Sequence, residues 1–243
     1  MRVTAILLAA GKGERLKSRV SKALVELGGI PIIEHSLRVL CRHPLVKDII
    51  IVVNPSNQKE ISSLVEKNGC KKVRLLVLGG VRRQDSVCNA LKESGADCGL
   101  VLVHDSARPF VRAEDISGVI ARAKRFGAAV LGVPVKATVK QVTRDKGQGT
   151  RDKIQGTCLV VEKTLNRECL WEVQTPQAFR RDIIVKAYQR FGGIDVTDDA
   201  ALVERMGKRV VLCAGSYGNI KITTPVDLII AEAMLNSLKS QKS

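Results

Sequence analysis

A chain of 243 residues is long enough for one large α/β domain or two small ones, and either can bury a full core. Apolar residues make up 45% but aromatics only 3%, so the core must be mostly Val, Ile, Leu and Ala, with little left for stacking bases. The formal charge of +16 points to nucleic acid, anionic membrane or phosphorylated small molecules; the basic residues run from Arg2 to Lys242 without a tight cluster and no RNP-type motif is present, which argues against a nucleic-acid module. A host whose proteins are basic throughout is the plainer source of some of that charge.

The longest apolar runs are strand-sized and the N-terminus lacks a long apolar region, so a cytoplasmic, soluble protein with no membrane association is expected. Seven cysteines (Cys41, Cys70, Cys88, Cys98, Cys158, Cys169, Cys213) are scattered without a Cys-x-x-Cys pair or a histidine cluster. They read as reduced, mostly buried thiols rather than a disulfide framework or a zinc site.

Taken in order, Val3–Ala10 reads as a strand, Pro31–Cys41 as an amphipathic helix, and Ile49–Val53 as a strand ending in Asn54-Pro55. Gln58–Asn68 is helical, Val73–Leu78 a strand, Arg83–Glu93 a helix, Gly99–His104 a strand, Ala113–Phe126 a helix and Ala128–Val133 a strand. This alternation predicts a Rossmann-like α/β fold, a mainly parallel sheet with helices on both faces. The rhythm fails between Lys136 and Leu170, where Thr138–Thr143 and Thr157–Glu162 flank a charged, glycine-containing insert. A projecting β arm at about 136–170 follows, and such an arm needs a partner subunit to pack against. Beyond Trp171 come helices Arg181–Phe191 and Asp198–Met206, strand Arg209–Ala214 and helix Pro225–Leu238. The expectation is one domain, 1–243, with an inserted arm.

Chemistry concentrates where strands end, the place at which open parallel sheets gather ligands. After Ala5–Ala10 the chain turns at Gly11 and Gly13 and then carries Lys12, Arg15, Lys17, Arg19 and Lys22. Glycines that let the backbone approach a ligand, followed by a crowd of cations, suit a polyphosphate; an ordinary strand–turn–helix junction with a solvated basic helix is the alternative. Leu78-Gly-Gly-Val-Arg-Arg-Gln-Asp-Ser86 is a second turn of this kind. Val101–His104 delivers His104 and Asp105 to a strand end, with Arg108 beside Pro109; carboxylates so placed hold Mg²⁺, and a helix N-cap is the competing role for Asp105. Trp171–Phe179 holds a Thr-Pro pair that could simply cap the following helix. Thr197 reads as the cap of Asp198–Met206, and Lys221 sits in a short apolar strand where a half-buried ammonium requires an anionic partner. His35, His43 and Trp171 read as structural, and no nucleophile–base triad assembles.

In this order, the segments Leu8–Arg15, Val103-His-Asp-Ser-Ala-Arg-Pro109, Thr175-Pro-Gln-Ala-Phe179, Thr197-Asp-Asp199 and Asn219-Ile-Lys-Ile-Thr223 resemble one family, the 2-C-methyl-D-erythritol 4-phosphate cytidylyltransferases. The resemblance runs from about Arg2 to Leu235, its first segment being a general sugar-nucleotidyltransferase fingerprint. It implies a homodimer that exchanges its β arms, Mg²⁺ dependence, and attack of a polyol phosphate oxygen on the α-phosphorus of CTP. By the same resemblance, Arg15 and Lys22 would be catalytic, stabilising charge that develops on the phosphoryl oxygens. Ala9, Ala10, Gly11 and Gly13 would wrap the triphosphate, Gly80 and Ser86 would contact cytosine, and Asp105 would sit by metal and ribose. Arg108, Thr197 and Lys221 would bind the polyol phosphate, with Arg167 and Thr175 completing that site across the dimer.

Three departures from the family pattern stand out. Ser21-Lys22-Ala23 replaces the family's Pro-Lys-Gln, Val81 replaces an acidic residue in the base-recognition turn, and the arm is several residues longer, which leaves Arg167 tied mainly to the nearby Leu170-Trp171. The site residues do not by themselves separate methylerythritol phosphate from another pentitol phosphate such as ribitol 5-phosphate. A non-catalytic nucleotide- or RNA-binding protein on the same fold is a further alternative.

Overall fold

The computed structural model describes residues 1–11, 13, 16, 21–144 and 159–240. Its strands are β1 (Arg2–Leu8), β2 (Glu26–Leu27), β3 (Ile30–Pro31), β4 (Val46–Val53), β5 (Val73–Leu78), β6 (Cys98–Asp105), β7 (Ala128–Pro134), β8 (Lys140–Arg144), β9 (Leu159–Thr164), β10 (Trp171–Arg180) and β11 (Val211–Ala214). Its helices are α1 (Ile32–Arg42), α2 (Gln58–Asn68), α3 (Arg83–Lys92), α4 (Ala113–Phe126), α5 (Arg181–Phe191), α6 (Ala200–Arg205) and α7 (Pro225–Ser240).

Seven strands form the main sheet in the order β11-β7-β10-β6-β1-β4-β5. Because β1 pairs in parallel with both β6 and β4, Ala5 lies between Leu102 and Ile49 and is buried on both faces. That is why β1 reads as a continuous apolar run rather than an alternating one. Successive residues still face opposite ways. Leu7, Ile51 and Leu102 pack with Leu37 of α1, Ile61 of α2 and Ile120 of α4. Ile6, Ile50 and Val101 pack on the other face with Val87 of α3, Ile184 of α5 and Leu202 of α6. The parallel sheet with helices on both faces is as expected from the strand–helix alternation.

Several expectations are corrected. Trp171–Arg180, whose Thr-Pro pair suggests a helix cap and not a strand, is the ten-residue strand β10, antiparallel to both β6 and β7. Its register with β7 shifts between Gln174 and Gln177, so Pro176, which cannot donate to a ladder, sits where the pairing is interrupted. Residues 209–210 fall outside the last strand, which begins at Val211, and Lys221 lies in an irregular segment rather than a strand. The helix expected from Asp198 begins at Ala200 with Asp199 at its N-cap, and the Ala201 N–H donates to Asp198 Oδ1 at 3.2 Å, so Thr197 does not hold the cap assigned to it. Cys41 and Cys70 are joined as a disulfide rather than reduced. His35 and His43 are structural as read, their Nε2 atoms meeting the carbonyls of Leu27 and Ala113.

Among the described residues, β8 and β9 pair only with each other, Val142 facing Val161, as a separate two-stranded sheet where the arm is expected. No helix among the described residues is long and apolar enough to cross a membrane.

The sheet's close packing sets a testable cost. Leu102 is fully buried between α-helices and the β1 ladder. Leu102→Ala is expected to lower the unfolding free energy by about 2–5 kcal/mol in urea titration, with an unchanged slope. A loss below about 0.5 kcal/mol would show that this position is not core.

Candidate functional site

The C-terminal ends of β1, β4, β5 and β6 share one edge of the sheet because these strands are mutually parallel. There a cavity of about 1110 Å³ opens, lined by Ala9, Ala10 and Gly11 after β1, Asn54 after β4, Gly79 and Gly80 after β5, and Asp105 at the end of β6. Ser21, Lys22, Arg83, Ser86 and Lys221 complete the wall. Eight of the residues proposed from sequence thus meet in one place: Ala9, Ala10, Gly11, Lys22, Gly80, Ser86, Asp105 and Lys221.

The turn after β1 is held by two asparagines that sequence reasoning missed. Asn57 Nδ2 donates to the Ala9 carbonyl at 2.9 Å and to Ser21 Oγ at 2.8 Å. Asn54 Nδ2 donates to the Ala10 carbonyl at 3.1 Å. These bonds occupy carbonyl oxygens that would otherwise repel an anion entering the turn. Gly13 has φ +71°, and a Cβ there would lie 2.7 Å from Lys22 Cβ, so the loop closes on Lys22 only with glycine at that position. Arg15 lies outside the described residues.

The turn after β5 is equally close-packed. A Cβ on Gly79 would meet Ala10 Cβ at 2.5 Å, and one on Gly80 would meet Asp85 Cβ at 2.3 Å. The Gly80 N–H donates to Ser86 Oγ at 3.1 Å, which ties the turn to the first turn of α3. Val81 is fully exposed at the rim of the cavity and brings no acidic group to it.

Asp105 is the electrostatic centre. Its Oδ2 receives Lys221 Nζ at 2.6 Å and its Oδ1 receives Arg83 Nε at 3.3 Å. Burial alone would push this carboxyl up; Arg83 and Lys221 outweigh it and hold Asp105 well below the usual carboxylate range. Arg83 also donates through Nη1 to Asp199 at 2.8 Å, and Asp199, fully buried, accepts from the Tyr188 hydroxyl at 2.5 Å. Burial opposes the charge on Arg83, but Asp199 and Asp105 raise its pKa, while burial and then Asp199 raise that of Tyr188. Arg83 was visible as one of a pair of arginines beside the glycine turn, and nothing in the sequence marked it as the link to Asp199.

Beneath Asp105, Thr175 Oγ1 accepts the Asp105 N–H at 3.0 Å and meets His104 Nδ1 at 3.1 Å. His104 Nε2 meets the Arg108 carbonyl at 3.2 Å, so the histidine serves as a buried spacer. Arg108 Nη1 donates to the Asn219 carbonyl at 2.7 Å, while its buried Nε has no hydrogen-bond partner among the described residues. The structure places Thr197 on the exposed surface and Arg167 at the base of the arm, donating to the Lys136 carbonyl at 3.0 Å; neither lines the cavity.

This geometry has a pH signature. Burial, opposed by Asp105, lowers the His104 pKa to about 4, so the ring is neutral in the folded protein and charged in the unfolded one between pH 4 and 6.5. The unfolded chain binds the extra proton in that window, so acidification destabilises the fold, by about 1.4 kcal/mol per pH unit for one such group. In nitrogen-edited NMR the His104 ring is expected to stay neutral at pH 5.5. A titration centred near 6.5 would mean that the ring is solvated and the hydrogen-bonded support is wrong.

A family model described as IspD, 2-C-methyl-D-erythritol 4-phosphate cytidylyltransferase, matches residues 3–237. A relative of that name from Pelotomaculum thermopropionicum is 44% identical over 239 residues, covering 97% of this chain and 95% of the relative. Another from Geobacillus kaustophilus is 42% identical, with 98% of each chain covered. The crystal structure of 4-diphosphocytidyl-2C-methyl-D-erythritol synthase from Anaerococcus prevotii superposes with a TM-score of 0.82 at 30% identity, covering 97% of this chain and 96% of its own. The fold, the cavity at the strand ends and these matches agree, and the chain belongs to the 2-C-methyl-D-erythritol 4-phosphate cytidylyltransferase family.

Proposed function

We propose that the protein joins CTP to 2-C-methyl-D-erythritol 4-phosphate. A phosphate oxygen of the polyol bonds to the α-phosphorus of CTP, the bond from that phosphorus to the bridging oxygen breaks, and pyrophosphate leaves. The observation that carries this reading is the meeting of the two glycine turns, Lys22 and the Asp105–Lys221 pair in a single cavity of a family member.

Each part of the wall has a task. The turn Ala9-Ala10-Gly11 offers close backbone approach to the triphosphate, and Lys22 places positive charge where charge develops during transfer. Arg15 is proposed as its partner on the strength of the family resemblance alone. Gly80 and Ser86 present backbone and hydroxyl groups to the base. For the acceptor phosphate, Lys221 is the donor on the cavity wall, and Arg108, which does not line the cavity, is carried by the resemblance. Thr197, Arg167 and Thr175 are carried only by the resemblance; the Thr175 hydroxyl is already engaged with Asp105 and His104.

Mg²⁺ is the proposed metal. The described residues contain no group of three or more His, Cys, Asp or Glu side chains able to hold a metal. A hard cation that takes one carboxylate and completes its shell with phosphate oxygens and water fits the lone Asp105 of the cavity wall. Bound there, it would neutralise charge on the phosphates.

We also propose a homodimer formed through the arm. All six residues of β9 are exposed, and Val142, Leu159 and Val161 present apolar side chains 43%, 59% and 53% exposed. A second copy is the occupant the family resemblance supplies.

Two measurements test these readings. Pyrophosphate release with CTP, Mg²⁺ and 2-C-methyl-D-erythritol 4-phosphate is expected, falling by about 10² or more in Lys22→Ala with the melting temperature retained. Turnover with ribitol 5-phosphate only would overturn the acceptor, and salt-sensitive RNA binding without pyrophosphate release would overturn the enzyme reading. Light scattering should give twice the chain mass for the native protein, and the single-chain mass for a Val142→Lys, Val161→Lys double variant. An unaltered dimer in that variant excludes the arm as the interface.

A further inference from the structure

A second cavity, of about 630 Å³, lies where α1 ends and α2 turns into β5. Both helices run antiparallel to their strands, so this cavity is at the sheet edge opposite the nucleotide site. Its wall contains Cys41 and Cys70, whose Cα atoms are 6.0 Å apart, within the range a disulfide spans without backbone movement. Both cysteines are partly exposed.

The surroundings are one-signed. Arg38, Arg42, Lys67, Lys71 and Lys72 line the cavity, with no acidic side chain among the described residues of its wall. Arg38 is paired with Glu34 at 2.6 Å, and Lys72 Nζ is anchored on the His43 carbonyl at 2.7 Å. Burial, followed by Lys47, lowers the pKa of Lys72. Arg42, Lys67 and Lys71 therefore carry most of the open charge. The two cysteines lie near helix C-termini, whose carbonyls disfavour a thiolate by roughly half a charge each. Against that opposition the wall sets the whole positive charges of Arg42, Lys67 and Lys71, and a cationic wall of this kind favours an anionic exchange partner. The other described cysteines differ: Cys98 and Cys213 are buried, with burial raising the Cys213 thiol, and neither Cys88 nor Cys169 lines this cavity.

We propose that Cys41 and Cys70 are a reversible dithiol–disulfide couple, and that the basic cavity docks a small anionic disulfide of the glutathione type as its exchange partner. One protein thiolate attacks a sulfur of the small disulfide, forming a mixed disulfide and releasing one small thiolate. The second protein thiolate attacks the protein sulfur of that mixed disulfide, forming the Cys41–Cys70 bond and releasing the second small thiolate. Two electrons pass from the protein pair to the small disulfide, and the two protons lost by the protein thiols appear on the two small thiols. Excess small thiol drives the same steps backwards.

The test uses the full chain, reduced with dithiothreitol and freed of reductant, then exposed to oxidised glutathione or to cystamine at low ionic strength. Alkylation and mass mapping follow the Cys41–Cys70 link. Glutathione disulfide, an anion, is expected to oxidise the pair about tenfold faster than the dication cystamine. The ratio should fall towards one in about 0.5 M salt and in an Arg42→Glu, Lys67→Glu double variant with native circular dichroism. Equal or faster oxidation by cystamine overturns the docking of an anion. A pair that dithiothreitol cannot reduce in the folded protein, or that stays reduced in excess glutathione disulfide, overturns the couple itself.

Discussion

The ionised state of Asp105 rests on positive charge arriving from two sides. Taking a carboxylate out of water costs several kcal/mol, and one cation about 4 Å away returns about 4 kcal/mol at an effective dielectric near 20. A single partner would leave the balance close to zero. Lys221 and Arg83 together tip it firmly towards the charged form. Arg83 meets the same difficulty from the other sign and settles it with a second carboxylate, Asp199, which in turn takes the Tyr188 hydroxyl. The series Tyr188–Asp199–Arg83–Asp105–Lys221 therefore stands or falls as a unit. It ties α5, the start of α6, α3, β6 and the segment before α7 to one point, and fixes the edge of the sheet where the cavity opens.

Much of that frame was legible because burial on both faces leaves a plain mark. The run from Val3 to Leu7 is apolar without alternation, as a strand between two parallel neighbours must be. Gln58–Asn68, Ala113–Phe126 and Arg181–Phe191 show a 3.6-residue period bounded by Gly69, Gly127 and Gly192. Part of the candidate site was legible for the same reason: strand ends followed by glycine turns can be located before any contact is known. Lys221 was marked by its mismatch with apolar neighbours, and its required anion is Asp105.

What stayed hidden depends on distance in sequence. β10 is a strand whose pairing breaks around Pro176, and a proline inside a short run argues locally against a strand. Its partners β6 and β7 supply the reason that local preference is overridden. Arg83 and Asp199 are 116 residues apart, and Cys41 and Cys70 are 29 apart, so no window of the sequence holds either pair. Thr197 illustrates a smaller failure of the same kind. A threonine before two aspartates looks like a helix cap, but the helix begins two residues further on and the adjacent carboxylate of Asp198 makes the bond.

Ser21, which stands where the family pattern implied by the resemblance would have a proline, is held by another means. A proline would fix φ near −65° and so aim the following lysine. Ser21 adopts φ −53° and ψ 137° without a ring to enforce it. The constraint comes instead from Asn57, whose Nδ2 donates to Ser21 Oγ while also holding the Ala9 carbonyl. Asn57 is itself immobilised, fully buried at the start of α2 with its Oδ1 accepting the Asn54 N–H at 2.9 Å. One side chain thus fixes the strand end that begins the glycine turn and the residue that precedes Lys22. The stiffness a proline would build into the backbone is here supplied across space, and the approach to Lys22 is coupled to α2 and, through it, to the turn after β4.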